Sequence, residues 1–394
     1  MCIRVPLLAA LIVVSCAPPE PSSGGRAGGT DGSTDEGTHL NVDATGPTVT
    51  LRIPAEGEGY VIGRVGTVLH TPDALIVLDQ ASPFLHLFRH DGSWLRSFGR
   101  LGSGPGEFRA PRTIGVNRYG LWVNDLGLSR LSLLDPESGE FRSSRALPGL
   151  PTTAVLLPDS SVVLAAERPL RAGSSDRKRT FTMWLLNRAR LDTVFSMDFP
   201  DRVLDIPTGN GSITGPQPFD DDPLFRIGTH DGHLVIVHRT VTAGARSFRV
   251  RRISPRGAEV FTRDYPYDPV PIRGDMIERA IDGRSRSAGS DARAMAERVR
   301  QALFLPPHQP PVQRVLIGDD GRIWLQREEK SDTVPPEWMI LSPSGVEIGF
   351  VPMPVGFVPT SMTGNRALGL RSDPAGRQFI EIVEFPTLAG STDR

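Results

Sequence analysis

Beyond Thr48 the chain alternates between short apolar runs and short polar turns, and the pattern returns six times. Each return begins with a strand, a tight turn and a second strand: "TPDALIVLD", "VNRYGLWVND", "LPDSSVVLAA", "THDGHLVIVH", "GDDGRIWLQ" and "MTGNRALGL". A second hairpin follows in five of the six, starting at Arg89, Asp135, Asn187, Ser254 and Ser342. In "RHDGSWLRSFG" and "SPSGVEIGFV" the Asp-Gly and Ser-Gly pairs supply the positive φ that tight hairpin turns require. The residues after them alternate with the period of a half-buried strand. Short aliphatic runs at such regular spacing predict an all-β protein.

Six units of four strands, on average a little above the roughly 40–50 residues usual for a blade, predict a six-bladed β-propeller. The blades fall at about 64–98, 113–146, 153–197, 224–263, 312–351 and 356–385. The sixth lacks a fourth strand after "RQFIEIVEF", whereas "TVTLRI", residues 48–53, stands unassigned ahead of the first blade. Pairing this N-terminal strand into the last blade closes the ring and removes an exposed edge. The propeller domain is therefore expected to span 48–390.

An antiparallel meander puts the first-to-second and third-to-fourth turns on one face. The second-to-third turns and the crossings between blades go to the other face. Nearly every long insertion falls in this second group: 99–112, 167–179, 200–223 and 265–311. Long loops cost closure entropy without building core and are often functional, so a binding site is expected on that face. The helical insertion, 264–311 between blades 4 and 5, contains "SDARAMAERVRQALF". Ala292, Met295, Ala296, Val299 and Leu303 form one apolar stripe at helical spacing. Ser290 or Asp291 is placed to cap its start. The stripe is expected to pack on the long-loop face as a brace, a ligand lid or a partner-binding helix.

The crossing from blade 1 to blade 2 reads "FGRLGSGPGEFRAP", residues 98–111. Its glycines let the backbone turn from an outer strand to the next inner one. Phe108 is expected to pack between blades and Pro111 to set the start of the next strand. A phosphate-cradling loop would need a Lys-Ser/Thr pair and a following helix, and neither is present. The spacing of Gly102, Gly104, Gly106, Phe108 and Pro111 resembles the NHL repeat over roughly residues 60–146. The whole chain is similar to bacterial six-bladed propeller lipoproteins, a group without one settled activity. Some NHL-like enzymes are metal lyases whose histidines come from several blades, so the resemblance admits both binding modules and enzymes.

Composition agrees with this class. With 41 Gly, 36 Pro and 7% aromatic residues in 394, breakers are too frequent for a helical protein. A net charge of −1 gives no global field toward nucleic acid, and no nucleic-acid partner is expected. "MCIRVPLLAALIVVSC" has one early positive charge and an apolar run too short to span a bilayer, as in a signal peptide over 1–15. Val13-Val14-Ser15-Cys16 resembles the bacterial lipobox, which implies lipidation at Cys16. Residues 16–47, rich in Pro, Gly, Ser and Thr, are expected to be a disordered tether. Cys2 would leave with the signal, so no disulfide is expected in the mature protein. The implied address is the bacterial cell envelope through a lipid anchor. Ala17, in place of a retention aspartate, favours the outer membrane.

Candidate chemistry is sparse. The ends of the second strands give comparable positions: Asp79, Asp125, Ala166, His238, Arg327 and Arg371. They are expected near the long-loop face, where they either surround the central channel and bind a polar ligand or metal, or hydrogen-bond the following turn. Asp220, Asp221 and Asp222 offer an oxygen-rich loop, but three adjacent carboxylates cannot all point inward and the alternating spacing of a calcium loop is lacking, so a solvated loop is expected. His233 and His238, an odd number of positions apart, point to opposite faces of one strand and make poor partners for one metal. "ERPLRAGSSDRKR", 167–179, is a basic stretch expected to be a solvated loop. No metal-ligand set and no cofactor is identified. The expected function is a ligand- or protein-binding module, with a small molecule or protein partner on the long-loop face. The alternative is a metal-dependent hydrolase or lyase working at the channel.

Overall fold

The computed structural model describes residues 46–149, 151–169, 178–208, 211–242, 244–286, 291–328, 334–373 and 375–386. The signal segment, Cys16 and nearly all of the tether lie outside the described residues. Six four-stranded antiparallel sheets form the body of the protein. In blade 1, Val65–His70, Leu75–Asp79, Leu85–Phe88 and Trp94–Phe98 lie side by side in chain order. Blades 2 to 5 follow the same order over 111–146, 153–200, 224–266 and 312–352. The sixth sheet contains Phe357–Thr363, Arg366–Ser372 and Gln378–Glu384, with Thr48–Pro54 paired antiparallel to Gln378–Glu384.

The sequence pattern of each strand follows its place in the blade. Second strands such as Leu75–Asp79 and Gly120–Asp125 are buried at every position. They are covered on both faces by neighbouring blades, so they read as continuous apolar runs. Outer strands such as Glu259–Pro266 expose most of their residues. The core is therefore a set of wedges between blades. In one wedge Ile76, Leu78 and Leu85 of blade 1 meet Ile114, Leu121 and Val123 of blade 2 around Phe108. Phe108 is fully buried and meets Phe84 edge to face at 6.3 Å. Gly99, at φ +82°, is required here: a Cβ would lie 3.0 Å from the Phe108 ring. Arg130 then ties the crossing down by donating to the carbonyls of Ser103, Gly104 and Glu107.

Two insertions depart from the sequence expectation. The 200–223 crossing, read as loop, contains a hairpin of Val203–Thr208 and Gly211–Pro216. The 264–311 insertion contains two helices, α1 (Gly274–Ser285) and α2 (Ala292–Ala302), where one was expected. The expected stripe is the buried side of α2, with Val299 fully buried. It packs on Leu204 and Ile206 of the hairpin and on Ile281 of α1. The hairpin and the two helices thus bury their apolar side chains against each other. Asp291 precedes α2 but makes no side-chain cap hydrogen bond, and Ser290 lies outside the described residues.

Candidate functional site

The first strand of each blade is the innermost. These strands contact the first strands of neighbouring blades, and residues from all six line one cavity of about 220 Å³ at the axis. Register irregularities fall in the first strands of blades 1, 2, 5 and 6, between Val65/Thr67, Pro111/Thr113, Val312/Arg314 and Pro359/Ser361. A bulge re-aims the extra residue and tightens the local twist. In blade 2 that residue is Arg112, which lines the cavity.

The cavity wall is polar and its charge is positive. Arg112 and Arg226 both line it, and neither forms an ion pair among the described residues. Arg226 keeps accessible surface toward the cavity, yet the protein around it lowers its pKa by burial, with a further push from Arg314. Burial also lowers the pKa of Arg314. Its one hydrogen bond, from Nη2 to the Pro359 carbonyl, is long at 3.4 Å. Thr67, Thr113, Thr153 and Thr229 add hydroxyls to the wall that make no side-chain hydrogen bond among the described residues. Among the described residues Glu167 is the one acid on the wall; burial raises its pKa, and Arg179 pairs with it at 3.4 Å.

Asp79, Asp125, His238, Arg327 and Arg371 do not line this cavity; of the two arrangements expected for them, Asp79 and Asp125 take the second and bond the following turn. Second strands sit one place out from the axis, behind the first strands. Asp79 is buried and accepts from the backbone N–H groups of Gly63 (2.6 Å), Arg64 (2.7 Å) and Ala81 (3.0 Å). Burial alone would raise its pKa; the contact with His86 and the three N–H bonds outweigh this and lower it. Asp125 repeats the arrangement, accepting from Arg109 (2.8 Å), Ala110 (3.0 Å), Gly127 (2.9 Å) and Leu128 (3.2 Å). Each carboxylate thus clamps the incoming crossing to the turn after the second strand. Blade 4 inverts the device: Asp221 on the incoming crossing accepts from Val241 N–H at 2.7 Å.

Of the other three positions, Arg327 and Arg371 are held by carboxylates and His238 is not. Arg327 pairs with Glu328 at 3.1 Å and sits over the Phe248 ring. Arg371 donates to buried Glu381 at 2.7 Å, and Arg52 holds the same carboxylate from the N-terminal strand. His238 faces an open groove on blade 4 beside Arg249 and Arg251, and burial, then these arginines, lower its pKa. His233 pairs with Asp231 rather than with His238.

The three adjacent aspartates do come together, with one oxygen from each within 4.8 Å of the others. Arg202 contacts Asp221 directly and lies 3.5 Å from Asp222, while Arg239 lies 3.5 Å from Asp220. Guanidinium groups therefore stand where a cation would be held. Burial, then the neighbouring Asp220, pushes the pKa of Asp222 well above the usual carboxylate range. Arg202 also covers the Phe304 ring at 4.3 Å, and Gln217 bonds Ala302 and Phe304, so this knot anchors the helical insertion. Of the basic stretch 167–179, residues 170–177 lie outside the described residues.

Sequence reasoning missed Arg112, Arg226 and Arg314. Their signal is an arginine set among apolar residues of a first strand, as in "PRTIGV", "LFRIG" and "QRVLIG". Periodicity places such an arginine on one face of the strand without saying that this face meets the axis.

A comparison with protein families agrees on the architecture. A family model described as a 6-bladed beta-propeller matches residues 57–173. No curated protein matches the chain. Among solved structures, a protein from Bacteroides fragilis described as exported is 11% identical at TM-score 0.48, covering 88% of this chain and 98% of that one. Hydrazine synthase of Kuenenia stuttgartiensis is 13% identical at TM-score 0.35, covering 90% and 80%. A streptogramin B lyase is 10% identical at TM-score 0.38, covering 82% and 93%. With two helices among its described residues and six four-stranded sheets, the chain is an all-β six-bladed propeller, and it matches that family over part of its length.

Proposed function

We propose that this protein is a ligand-binding propeller of the bacterial cell envelope, exported, lipidated at Cys16 and held at the outer membrane. The observation that carries the binding role is the axial cavity, whose polar wall is built from all six blades and keeps hydroxyl and guanidinium groups without protein partners. Arg112 and Arg226 are exposed rather than buried, so the donors of this wall are open to something that enters. Its volume of about 220 Å³ lies below the roughly 300–1,000 Å³ of sites for drug-sized ligands. It fits a small molecule or one end group of a larger partner.

The runner-up, a metal-dependent hydrolase or lyase, has less support. Asp79 and Asp125 are engaged by backbone N–H groups, and the three-aspartate cluster by two arginines. Thermal unfolding of the domain from Ala17 with a panel of anionic, neutral and cationic small molecules and metal ions tests the binding role. A saturable rise in Tm that Thr153→Phe abolishes by filling the cavity is expected. The absence of any such ligand would refute it. For the address, Cys16→Ser should move the protein from the membrane to the soluble fraction, and unchanged fractionation would refute the anchor.

A further inference from the structure

Most buried or half-buried arginines here face a carboxylate. Arg239 has Asp220, Arg252 has Asp231, Arg327 has Glu328 and Arg371 has Glu381. Arg226 and Arg112 differ from these in being exposed. They reach the axis from blades 4 and 2, line one cavity and form no ion pair among the described residues. Arg314 of blade 5 lies near enough to Arg226 to repel it. The wall's one acid, Glu167, is taken by Arg179.

Arg112 and Arg226 are exposed rather than buried, so an anion that enters can reach both. Against a protein wall its attraction to them is stronger than in open water. A guanidinium presents a planar fork that matches the two oxygens of a phosphate, sulfate or carboxylate, and it carries its charge at any physiological pH. Hydroxyls of Thr67, Thr113, Thr153 and Thr229 supply further donors on the same wall.

We propose that the axial cavity binds a small oxyanion group (phosphate, sulfate or carboxylate), with Arg226 and Arg112 as its principal ligands and channel hydroxyls completing the contact. This rests on the reading of the cavity as the ligand site, and it names the class of ligand that site takes. The cavity's size limits the bound part to the charged group and a few atoms beyond it, so the rest of a larger anion projects out of the channel.

The test uses the domain from Ala17 to Arg394 at constant ionic strength, so that general screening does not imitate binding. Inorganic phosphate, inorganic sulfate and a small dicarboxylate are titrated beside a neutral sugar and choline, with Tm and calorimetric heat as readouts. At least one oxyanion should raise Tm saturably. Arg226→Met should weaken that oxyanion at least tenfold, or about 1.4 kcal/mol, and Arg112→Met should weaken it too. Arg249→Met, on the exposed flank of blade 4, should leave it unchanged. Without ligand, Arg226→Met should be at least as stable as the wild type, since it removes an unpaired charge. That measurement stands even where ligand binding is lost. If the neutral or cationic compounds saturate the cavity and no oxyanion does, the anion assignment fails and the cavity remains a ligand site. If nothing in the panel saturates, both fail. Equal oxyanion binding by wild type, Arg226→Met and Arg112→Met would overturn the assignment to these arginines.

Discussion

Replacing Asp125 with alanine removes the acceptor for four backbone N–H groups at once. Oδ1 takes Ala110, Gly127 and Leu128, and Oδ2 takes Arg109. The residue is fully buried, so bulk water does not simply replace the carboxylate. Each stranded N–H costs about 1–3 kcal/mol. Four such values summed would rival a domain's whole stability of about 5–15 kcal/mol, so the losses are not additive. Relaxation of the turn and entry of a water recover part, leaving an expected loss of about 4 kcal/mol. Asp125→Asn keeps one oxygen where Oδ1 accepts its three bonds, but sets an amide against the Arg109 N–H. Its expected cost is about 1–2 kcal/mol. Urea unfolding with linear extrapolation measures both, and a shift in midpoint at unchanged slope assigns the effect to native stability. A loss below about 1 kcal/mol for the alanine variant would refute the clamp. So would an asparagine variant as damaging as the alanine one. Either result would return Asp125 to the pool of ligand-binding candidates.

Phe108→Ala should cost about 3–5 kcal/mol in the same assay, because it empties the wedge between blades 1 and 2; a loss under about 1 kcal/mol would contradict that packing. Glu381→Ala strands Arg52 and Arg371 and should destabilise by about 3–5 kcal/mol, with early hydrogen exchange in Thr48–Pro54. Exchange there equal to the wild type's would show that this carboxylate does not hold the strand. Asp231 supplies a pH dependence. Burial alone would raise its pKa, but the bonds from His233 and the charge of Arg252 outweigh this and hold it at about 2. The folded value lies below the unfolded one, so the stabilisation is present above the unfolded pKa and is lost as pH falls through the folded one. Asp231→Asn should remove about 2 kcal/mol of the stability lost between about pH 5 and pH 1; an unchanged acid limb in pH-dependent unfolding would refute it.

What the sequence determined here is what local chemistry controls. Asp-Gly and Ser-Gly turns and period-two strands repeat often enough to count six blades, because turn geometry and alternation act over a few residues. The burial of Phe108 was legible for a similar reason: a lone aromatic between a glycine-rich turn and a proline has few other places to go. The helical stripe of Val299 was visible too, but not the surface it covers, since the 203–216 hairpin and α1 carry too little apolar pattern to be read singly. The sequence marked Asp79 and Asp125 as polar ends of apolar strands. Only the fold shows that the crossing 15 or 16 residues earlier returns to offer them its N–H groups. The arginines of the cavity are the clearest case. Arg112 and Arg226 look like ordinary polar positions of alternating strands, and their meaning depends on which strand is innermost and which face it turns to the axis. Closure of the ring decides that, because it brings together at one point side chains that are far apart along the chain.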